Sequence, residues 1–454
     1  MKRRNSLKIS DEQLDFYLKL LEESFSIKWL HENSGHPLQA LWKRNDELAT
    51  SELFTLAYAI HTLKKIDPLW TKKQLEMVKS NDKNNYQGAI FEFIGLNMIN
   101  NPLEHPVKPA KFNQAGYDGI LTRSDNTEVR VSIKNYGSST FERSFERKAK
   151  SIEAKMLGLL KKYKYPPVQI LLDFPDKYPD ERDWKMLEER LDEIFKSQRT
   201  AKEPFTALVE PVNLKKELSR ENTRKIFIII ISPFKFSKEQ FHEKFHSYTL
   251  MILANYHHNE HQNLFSKMNG ACANLLKHSA TEDERTVNSL LLHLPATVSL
   301  DKCVKWLDDY FEEFPEKEIS FVFLYQPAVS EILTSGQTFI QHCFKIYIKK
   351  GKKIKGSYEF CVPDGIVSDQ STSMFCIAEM PDGKKEKISL EERYIYQHGE
   401  HYMKLKPDGN GGYNGNISRL GNGVFANIVL ELPGQKNTAV IHGKFAPSDD
   451  LLML

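Results

Sequence analysis

The chain has 454 residues, which is too long for one ordinary hydrophobic core, so we expect two to four domains. Hydrophobic residues make up 40% and charged residues 27%, a composition typical of globular rather than disordered proteins. The net charge of +3 is nearly neutral, so any argument for nucleic-acid binding must rest on local charge. The five cysteines are scattered and form no CxxC pair, which favours a reducing compartment and predicts no zinc cluster.

No targeting or membrane segment is predicted from the sequence. The basic N-terminal stretch MKRRNSLKISDEQ is not followed by an apolar run of signal-peptide length. The longest strongly apolar run, Ile226 to Ile231, is far too short to cross a bilayer. We therefore expect a soluble, cytoplasmic protein.

In chain order, the apolar spacing predicts four segments and an α/β fold class. The first segment carries apolar residues at spacings of three and four, which indicates helices. The third alternates strand-like and helix-like runs and is either a separate domain or an extension of the preceding sheet. The segments are a helical N-terminal region (1–80), a central α/β unit (81–200), a further α/β region (201–335) and a β-rich C-terminal domain (336–454).

The central unit has the predicted order helix, strand, strand, helix, strand. Its first helix is NNYQGAIFEFIGLNMI, its two strands are GYDGILTR and EVRVSIKNY, and its second helix begins at SSTFERSFERK. The apolar run PPVQILLDF is predicted to close the unit as a buried strand. An additional strand within 103–115 is left open, because that stretch has no clear periodicity.

Three charged side chains of this unit are predicted to meet. The turn RSDNTE predicts a hairpin whose two strands bring Asp118 close to Lys134, and Glu92 lies on the preceding amphipathic helix. Carboxylate oxygens are ligands for a hard divalent ion such as Mg²⁺. A lysine beside such an ion would orient or activate an attacking water during phosphodiester hydrolysis.

The order Glu92 on a helix, Asp118 on a strand and Lys134 on the next strand resembles the PD-(D/E)XK nuclease superfamily, which includes restriction endonucleases and repair nucleases. The resemblance covers about residues 85–173. It implies a restriction-endonuclease-like αβββαβ core and Mg²⁺-dependent cleavage of DNA, with Mn²⁺ as a substitute ion.

The sequence departs from that pattern at Ser132, which stands where the family carries its second acid. Neutral serine is a poor metal ligand, so Ser132 is predicted to orient a neighbouring group by hydrogen bonding. Some restriction enzymes of the superfamily have a serine here and recruit a glutamate from the following helix. The candidates are Glu142 and Glu146, and because Glu142 completes a capping box with Ser139, Glu146 is the predicted ligand. Glu92 remains the alternative.

Two basic stretches are predicted to contact the DNA backbone, since clustered cations release counterions from phosphates. The helix after the second strand carries eight basic residues against three acidic ones, and KIYIKKGKKIKG carries six lysines without an acid. A solvated surface is the alternative interpretation. The residues predicted to contact DNA are Arg143, Arg147, Lys148, Lys150, Lys352 and Lys353.

Three functions therefore remain open. The first is a Mg²⁺-dependent DNA endonuclease in a restriction or phage-defence setting, acting as a homodimer or with a partner protein. The second is a nuclease-fold protein that has lost catalysis and binds nucleic acid or supports assembly, which Ser132 favours. In the third, residues 201–335 carry the function and the resemblance is coincidental.

Overall fold

A computed structural model provides the structure of the protein. It describes residues 3, 5–32, 35–44, 46–111, 116–165, 168–199, 226–233, 247–278, 282–283, 285–332, 337–353, 358–369, 375–379, 385–403, 406–407, 413–414, 428–431 and 438–441. Across these ranges, the helices lack either the length or the apolar character that a membrane crossing requires.

The described residues form a mixed α/β fold. The helices are α1 (Asp11–Phe25), α2 (Ile27–Leu30), α3 (Pro37–Lys43), α4 (Glu47–Ile66), α5 (Pro68–Val78), α6 (Lys83–Met98), α7 (Thr140–Lys162), α8 (Glu181–Arg199), α9 (His261–His278) and α10 (Leu300–Glu313). The strands are β1 (Val107–Pro109), β2 (Gly119–Thr122), β3 (Glu128–Asn135), β4 (Val168–Phe174), β5 (Ile228–Pro233), β6 (Ser247–Asn255), β7 (Thr286–His293), β8 (Phe321–Ile332), β9 (Gln337–Ile348), β10 (Ile366–Ser368), β11 (Phe375–Glu379), β12 (Lys385–Ser389), β13 (Arg393–Met403), β14 (Lys406–Pro407), β15 (Tyr413–Asn414), β16 (Ile428–Glu431) and β17 (Thr438–Ile441).

The chain forms two compact units. The first combines Met1–Gly137 with His261–Thr372, and the second combines Ser138–Glu260 with Ser373–Pro447. This division differs from the four consecutive segments expected from the sequence. The chain leaves the first unit after β3, returns at α9 and leaves it again after Thr372.

The first unit is built on a seven-stranded sheet with the order β1-β2-β3-β7-β8-β9-β10. Strands β1, β2 and β3 form an antiparallel meander, while β7 lies parallel to both β3 and β8. Helix α6 packs against β1 and β3, and α9 also packs against β3. Helix α4 is buried around most of its circumference, so it forms the centre of the N-terminal helices predicted from the sequence.

The predicted hairpin of β2 and β3 is confirmed. Gly119 pairs with Val131 in the antiparallel register, and the Arg123 N–H donates to the Thr127 carbonyl across the turn at 3.0 Å. Asn126 adopts a left-handed backbone conformation with φ of 60°, which asparagine tolerates better than most residues.

The helix and strand that follow this hairpin in the first unit are α9 and β7. The unit therefore has the order α6, β1, β2, β3, α9, β7, with β7 parallel to β3. The sequence had placed α7 and β4 in these positions, but β4 pairs with β5 and β6 in the other sheet. Both helices are amphipathic and both strands are buried, so periodicity alone does not distinguish between the two partners of β3.

The second unit has a six-stranded mixed sheet with the order β17-β16-β13-β6-β4-β5. Buried apolar side chains of α7 and α8 pack on β4, β5 and β6 to form its core. The region expected at 201–335 is therefore divided, because β5 and β6 lie in this unit while α9 to β8 lie in the first. The strands of the expected C-terminal domain are divided in the same way, and its residues 442–454 lie outside the described ranges.

A buried carboxylate, Glu153, joins α7 to the sheet of the second unit. Its oxygens accept hydrogen bonds from the hydroxyls of Tyr248 at 2.9 Å and Tyr396 at 2.5 Å, and from Nδ1 of His398. Burial by itself raises the pKa of Glu153, but these hydrogen bonds outweigh it and hold the pKa below its ordinary value. The charged form of Glu153 therefore stabilises the fold.

Replacing Glu153 by glutamine is expected to lower the free energy of unfolding at pH 7 by about 1–3 kcal/mol. Because the folded-state pKa is depressed, the stabilisation is present above the unfolded pKa and is lost as pH falls through the folded one. Denaturant unfolding at pH 7 and at pH 3 to 4 measures this effect. The free energy of unfolding of the wild type should exceed that of the variant at pH 7, and the difference should shrink in acid. Glu189→Gln, whose side chain on α8 is 65% exposed, is the matched control, and a difference independent of pH would contradict the prediction.

Candidate active site at the β2–β3 hairpin

The carboxylate of Asp118 is fixed at the start of β2 by main-chain and side-chain donors. Its own N–H donates to the Val131 carbonyl at 2.8 Å. Its Oδ2 accepts the Ile133 N–H at 2.5 Å and lies 3.4 Å from the Ser132 hydroxyl. Asp118 thus continues the pairing of β2 with β3 through its side chain, and the carboxylate cannot rotate freely.

Two glycines allow helices to approach this carboxylate closely. A Cβ atom at Gly116 would overlap the main-chain oxygen of Asn274 in α9, and one at Gly119 would overlap the Leu96 side chain in α6. The sequence GYDG therefore permits one helix to pack against each flank of Asp118. The glycines were visible in the sequence, but their partners in α6 and α9 were not.

Lys134 lies near the end of β3, with its ammonium nitrogen 3.7 Å from Oδ2 of Asp118. The two side chains are 26% and 24% exposed, so a ligand can reach both from solvent. The predicted approach of Asp118 and Lys134 is confirmed by this distance. At a partly exposed position such a pair contributes little to stability, which leaves its charges available for binding or chemistry.

Glu92 extends from α6 toward the same charges. Burial, and next the negative charge of Asp118, raise the pKa of Glu92 to about 8, although Lys134 and a hydrogen bond from Gln74 partly offset these effects. That hydrogen bond joins Gln74 Nε2 to Glu92 Oε2 at 2.7 Å. Glu92 is therefore largely protonated at neutral pH, and a cation placed between the two acids would favour its ionised form.

Ser132 is fully buried, and its hydroxyl is oriented toward Asp118 rather than toward solvent. A hydrogen bond of this kind to Asp118 is what an orienting role for Ser132 would require, and that role stays a prediction. Ser132 adds no charge to the site. Among the described residues, Asp118 lies within ion-pair distance of Lys134, and the charge of Lys134 acts on Glu92.

The glutamates expected from the helix after β3 lie on α7, in the second unit. The N–H of Glu142 donates to the Ser139 hydroxyl at 3.0 Å, so the predicted N-cap is present. Glu146 is exposed on the same helix and adds to the effects of burial and Glu153, which raise the pKa of Tyr396. A ligand role for Glu146 stays a prediction.

The basic residues predicted to contact DNA differ in their surroundings. Lys148 forms an ion pair with Glu181 at 2.6 Å, and Lys352 forms one at 2.7 Å with Glu282, whose side chain is only 6% exposed. Arg143 donates to the Ser138 carbonyl at 2.7 Å. The side chains of Arg147, Lys150 and Lys353 are exposed.

Several residues that support the site were missed at the level of sequence. Gln74 lies in the N-terminal helical region, where no functional constellation was expected. His293 and Asn263, whose side chains contact Asn135 and the Tyr136 carbonyl just after Lys134, lie beyond residue 260. Each is a common polar residue in an amphipathic or buried element, so the sequence carries no signal that connects it to Lys134 or Glu92.

Among the residues that the structure describes, no group of three or more His, Cys, Asp or Glu side chains is arranged to hold a metal ion. Comparison with models of protein families, with curated proteins and with solved structures finds no match for this chain. The functional argument therefore rests on the geometry of the candidate site.

Proposed function

We propose that the protein is a Mg²⁺-dependent DNA endonuclease whose active site contains Asp118, Glu92 and Lys134. The observation that carries the proposal is the convergence of these three charges from α6, β2 and β3. The Lys134 amine lies 3.7 Å from Asp118, and both groups influence the pKa of Glu92. A carboxylate with a raised pKa beside an accessible lysine is typical of catalytic sites.

The topology of the first unit supports a restriction-endonuclease-like core. Taken without the inserted residues 138–260, its elements α6, β1, β2, β3, α9 and β7 follow the order αβββαβ. This order agrees with the PD-(D/E)XK resemblance, although α9 and β7 take the positions that the sequence had assigned to α7 and β4. Fold alone does not define activity, so the charges of the site remain the main support.

The two acids suit a single Mg²⁺ ion. Mg²⁺ is usually held in proteins by one or two carboxylates, with water and substrate phosphates as its remaining ligands. Asp118 and Glu92 would hold it, and Mn²⁺ would substitute because it accepts the same oxygen ligands. Bound there, the ion would polarise the phosphodiester and offset the negative charge that develops during hydrolysis.

The protein's own groups would orient the reactants. The Lys134 ammonium is a donor that can hold the attacking water and stabilise charge on the phosphate oxygens. The Ile133 N–H and the Ser132 hydroxyl keep the Asp118 carboxylate in one orientation, and Gln74 does the same for Glu92. Such preorganised groups need little rearrangement during the reaction.

DNA is the proposed substrate because exposed cations occur in both units. Arg147 and Lys150 lie on α7, and Lys353 follows β9 in the first unit. Contacts to phosphates would make binding weaken as salt rises. Two copies of the chain would permit cleavage of both strands, and a restriction or phage-defence role would suit such an enzyme.

The second candidate is a nuclease-fold protein that binds nucleic acid without cleaving it. Ser132 favours this alternative, because it leaves the site with fewer carboxylates than the family pattern has. Under this alternative, Lys134 and Asp118 would form a structural ion pair, and their replacement would change stability more than any catalytic rate.

Cleavage of supercoiled plasmid in Mg²⁺ separates the two candidates. We expect the wild-type protein to cleave and Lys134→Ala to lose at least about 100-fold in rate, because a donor to developing charge is removed. Lys108→Ala, an exposed lysine on β1 of the same sheet, should retain full activity. Failure of the wild type to cleave duplex DNA, single-stranded DNA or RNA in Mg²⁺ or Mn²⁺ would reject the catalytic proposal, and retained binding would favour the second candidate.

The same assay distinguishes the two candidate ligand sets. Glu92→Gln should raise the Mg²⁺ concentration needed for half-maximal cleavage at least about tenfold, while Glu146→Gln should leave it unchanged. The opposite result would assign the second carboxylate to α7.

A further inference from the structure

The segment that directly follows Lys134 is held by side chains from two other elements of the first unit. Strand β3 ends at Asn135, and the turn after it contains Tyr136 and Gly137. Gly137 has a left-handed backbone with φ of 59°. Such a turn at the end of a strand is free to shift unless neighbouring groups restrain it.

His293, at the end of β7, provides the first restraint. It pairs with Asn135 in the parallel register, and its main-chain oxygen accepts the Tyr136 N–H at 2.9 Å. Its Nδ1 lies 3.3 Å from Oδ1 of Asn135, which also accepts the Gly137 N–H at 3.0 Å. Because an amide oxygen is an acceptor, Nδ1 carries the proton in this contact.

The ring of His293 also contacts the helix that carries Glu92. Its centroid lies 4.7 Å from that of Phe91, the residue immediately before Glu92 on α6. The Nε2 atom is buried and, within the described part of the chain, makes no hydrogen bond. Burial lowers the pKa of His293 to about 4, so the ring is neutral and remains a single-proton donor to Asn135 at neutral pH.

Asn263, in the first turn of α9, provides the second restraint. Its amide nitrogen donates to the Tyr136 carbonyl at 3.1 Å and approaches the Gly137 carbonyl at 3.4 Å. The backbone after Lys134 is thus fixed on one side by β7 and on the other by α9, two elements that follow the first segment of the second unit in the chain.

We propose that His293 and Asn263 are positioning residues for Lys134, which hold the end of β3 so that the lysine amine stays beside Asp118. This inference rests on the proposed nuclease function, and it adds two residues that do not touch the substrate. A backbone shift of about 1 Å at this point would move the amine out of place, and misplacement of that size is costly in catalysis.

Two near-isosteric substitutions remove the side-chain contacts with little change of volume, while the main-chain hydrogen bond from Tyr136 to His293 remains. His293→Phe keeps a ring against Phe91 but cannot donate to Asn135, and Asn263→Asp places an acceptor against two carbonyl oxygens. Gln262→Glu, an exposed residue beside Asn263 on α9, is the control for the added negative charge. We expect kcat for plasmid cleavage to fall about 10–100-fold in the first two variants, with KM for DNA changed less than about twofold.

A second measurement does not depend on cleavage. Reductive methylation with ¹³C-formaldehyde labels the lysines, and the Lys134 signal is assigned by its loss in Lys134→Arg. In the metal-free wild-type protein this signal should be displaced from those of exposed lysines by the nearby Asp118 carboxylate. It should move toward them in His293→Phe and in Asn263→Asp, and stay in place in Gln262→Glu.

These readouts separate the inference from the proposed function. If the Lys134 signal is displaced in the wild type and moves in both variants, but the protein cleaves no nucleic acid, the positioning role is supported and the nuclease function is rejected. Folded variants with unchanged kcat and an unchanged Lys134 signal would overturn the inference. If His293→Phe does not fold, Asn263→Asp decides alone, and lower stability without a change in kcat or in the signal would also reject a positioning role.

Discussion

Replacing Asp118 by asparagine is expected to reduce Mg²⁺-dependent DNA cleavage at least about 100-fold while leaving the protein folded. The amide oxygen of asparagine can still accept the Ile133 N–H that now bonds to Asp118 at 2.5 Å. The substitution therefore removes a negative charge without removing the hydrogen bond that continues the hairpin.

The loss should appear in kcat as well as in the response to Mg²⁺. Lys134 loses the carboxylate 3.7 Å away, and Glu92 loses the negative charge that helps to raise its pKa. Single-turnover cleavage of a labelled duplex over a range of Mg²⁺ concentrations measures both effects. Excess Mn²⁺ should rescue part of the activity, because Mn²⁺ follows Mg²⁺ chemistry with stronger binding to a weakened site.

Asp125→Asn is the matched control, because Asp125 lies on the turn of the same hairpin with its side chain 47% exposed. We expect it to cleave like the wild type. Equal activity of Asp118→Asn and wild type would exclude Asp118 from the active site, whereas equal losses in both variants would point to damage of the hairpin.

Replacing Glu92 by glutamine is expected to stabilise the metal-free protein at pH 9. The folded-state pKa of Glu92 is raised to about 8 from an ordinary value of 4.5. Between these values the folded state binds a proton that the unfolded state has lost, so stability falls as pH rises through this window. Glutamine carries no charge and keeps an acceptor for Gln74, so the loss of stability with rising pH should be absent from the variant.

The expected gain at pH 9 is on the order of a few kcal/mol, and it should shrink toward pH 5, where Glu92 is protonated in the folded protein. Adding Mg²⁺ at pH 9 should make the wild type the more stable of the two proteins. It stabilises the wild type by binding the ionised pair of acids, and it should stabilise Glu92→Gln much less.

These effects are measured by thermal unfolding at pH 5, 7 and 9, without Mg²⁺ and with Mg²⁺ at about ten times its half-saturating concentration. Glu76→Gln, an exposed glutamate on α5, is the control for loss of one negative charge. A metal-free Glu92→Gln protein that is less stable than the wild type at pH 9 would contradict the raised pKa. A variant that gains as much stability from Mg²⁺ as the wild type would contradict the metal site. Neither outcome depends on whether DNA is cleaved.

The charged residues of the site could be found without the structure because their types are informative. Two acids and a lysine on a helix and a hairpin form a pattern with few chemical uses, and the turn around Asp125 and Asn126 specifies how the strands pair. The distance from Lys134 to Asp118 follows directly from that pairing. By contrast, nothing local distinguishes Gln74, His293 or Asn263 from ordinary polar residues.

The choice of the elements beside β3 was also beyond local information. Helices α7 and α9 are both amphipathic, and strands β4 and β7 are both buried, so each pair satisfies the same periodicity. The first segment of the second unit lies between β3 and α9, and sequential neighbours are the first guess for strand pairing. Only the contacts between distant segments show that β7 pairs with β3.

The sequence by itself determined helix α6, the hairpin of β2 and β3 and the meeting of Asp118 with Lys134, because these depend on local periodicity and turn chemistry. Tertiary structure alone decided that α9 and β7 flank the site, and that His293 and Asn263 hold the chain after Lys134. The reason is physical: burial and hydrogen bonding between segments more than 120 residues apart depend on which alternative packing has the lower free energy, and no local pattern encodes that comparison.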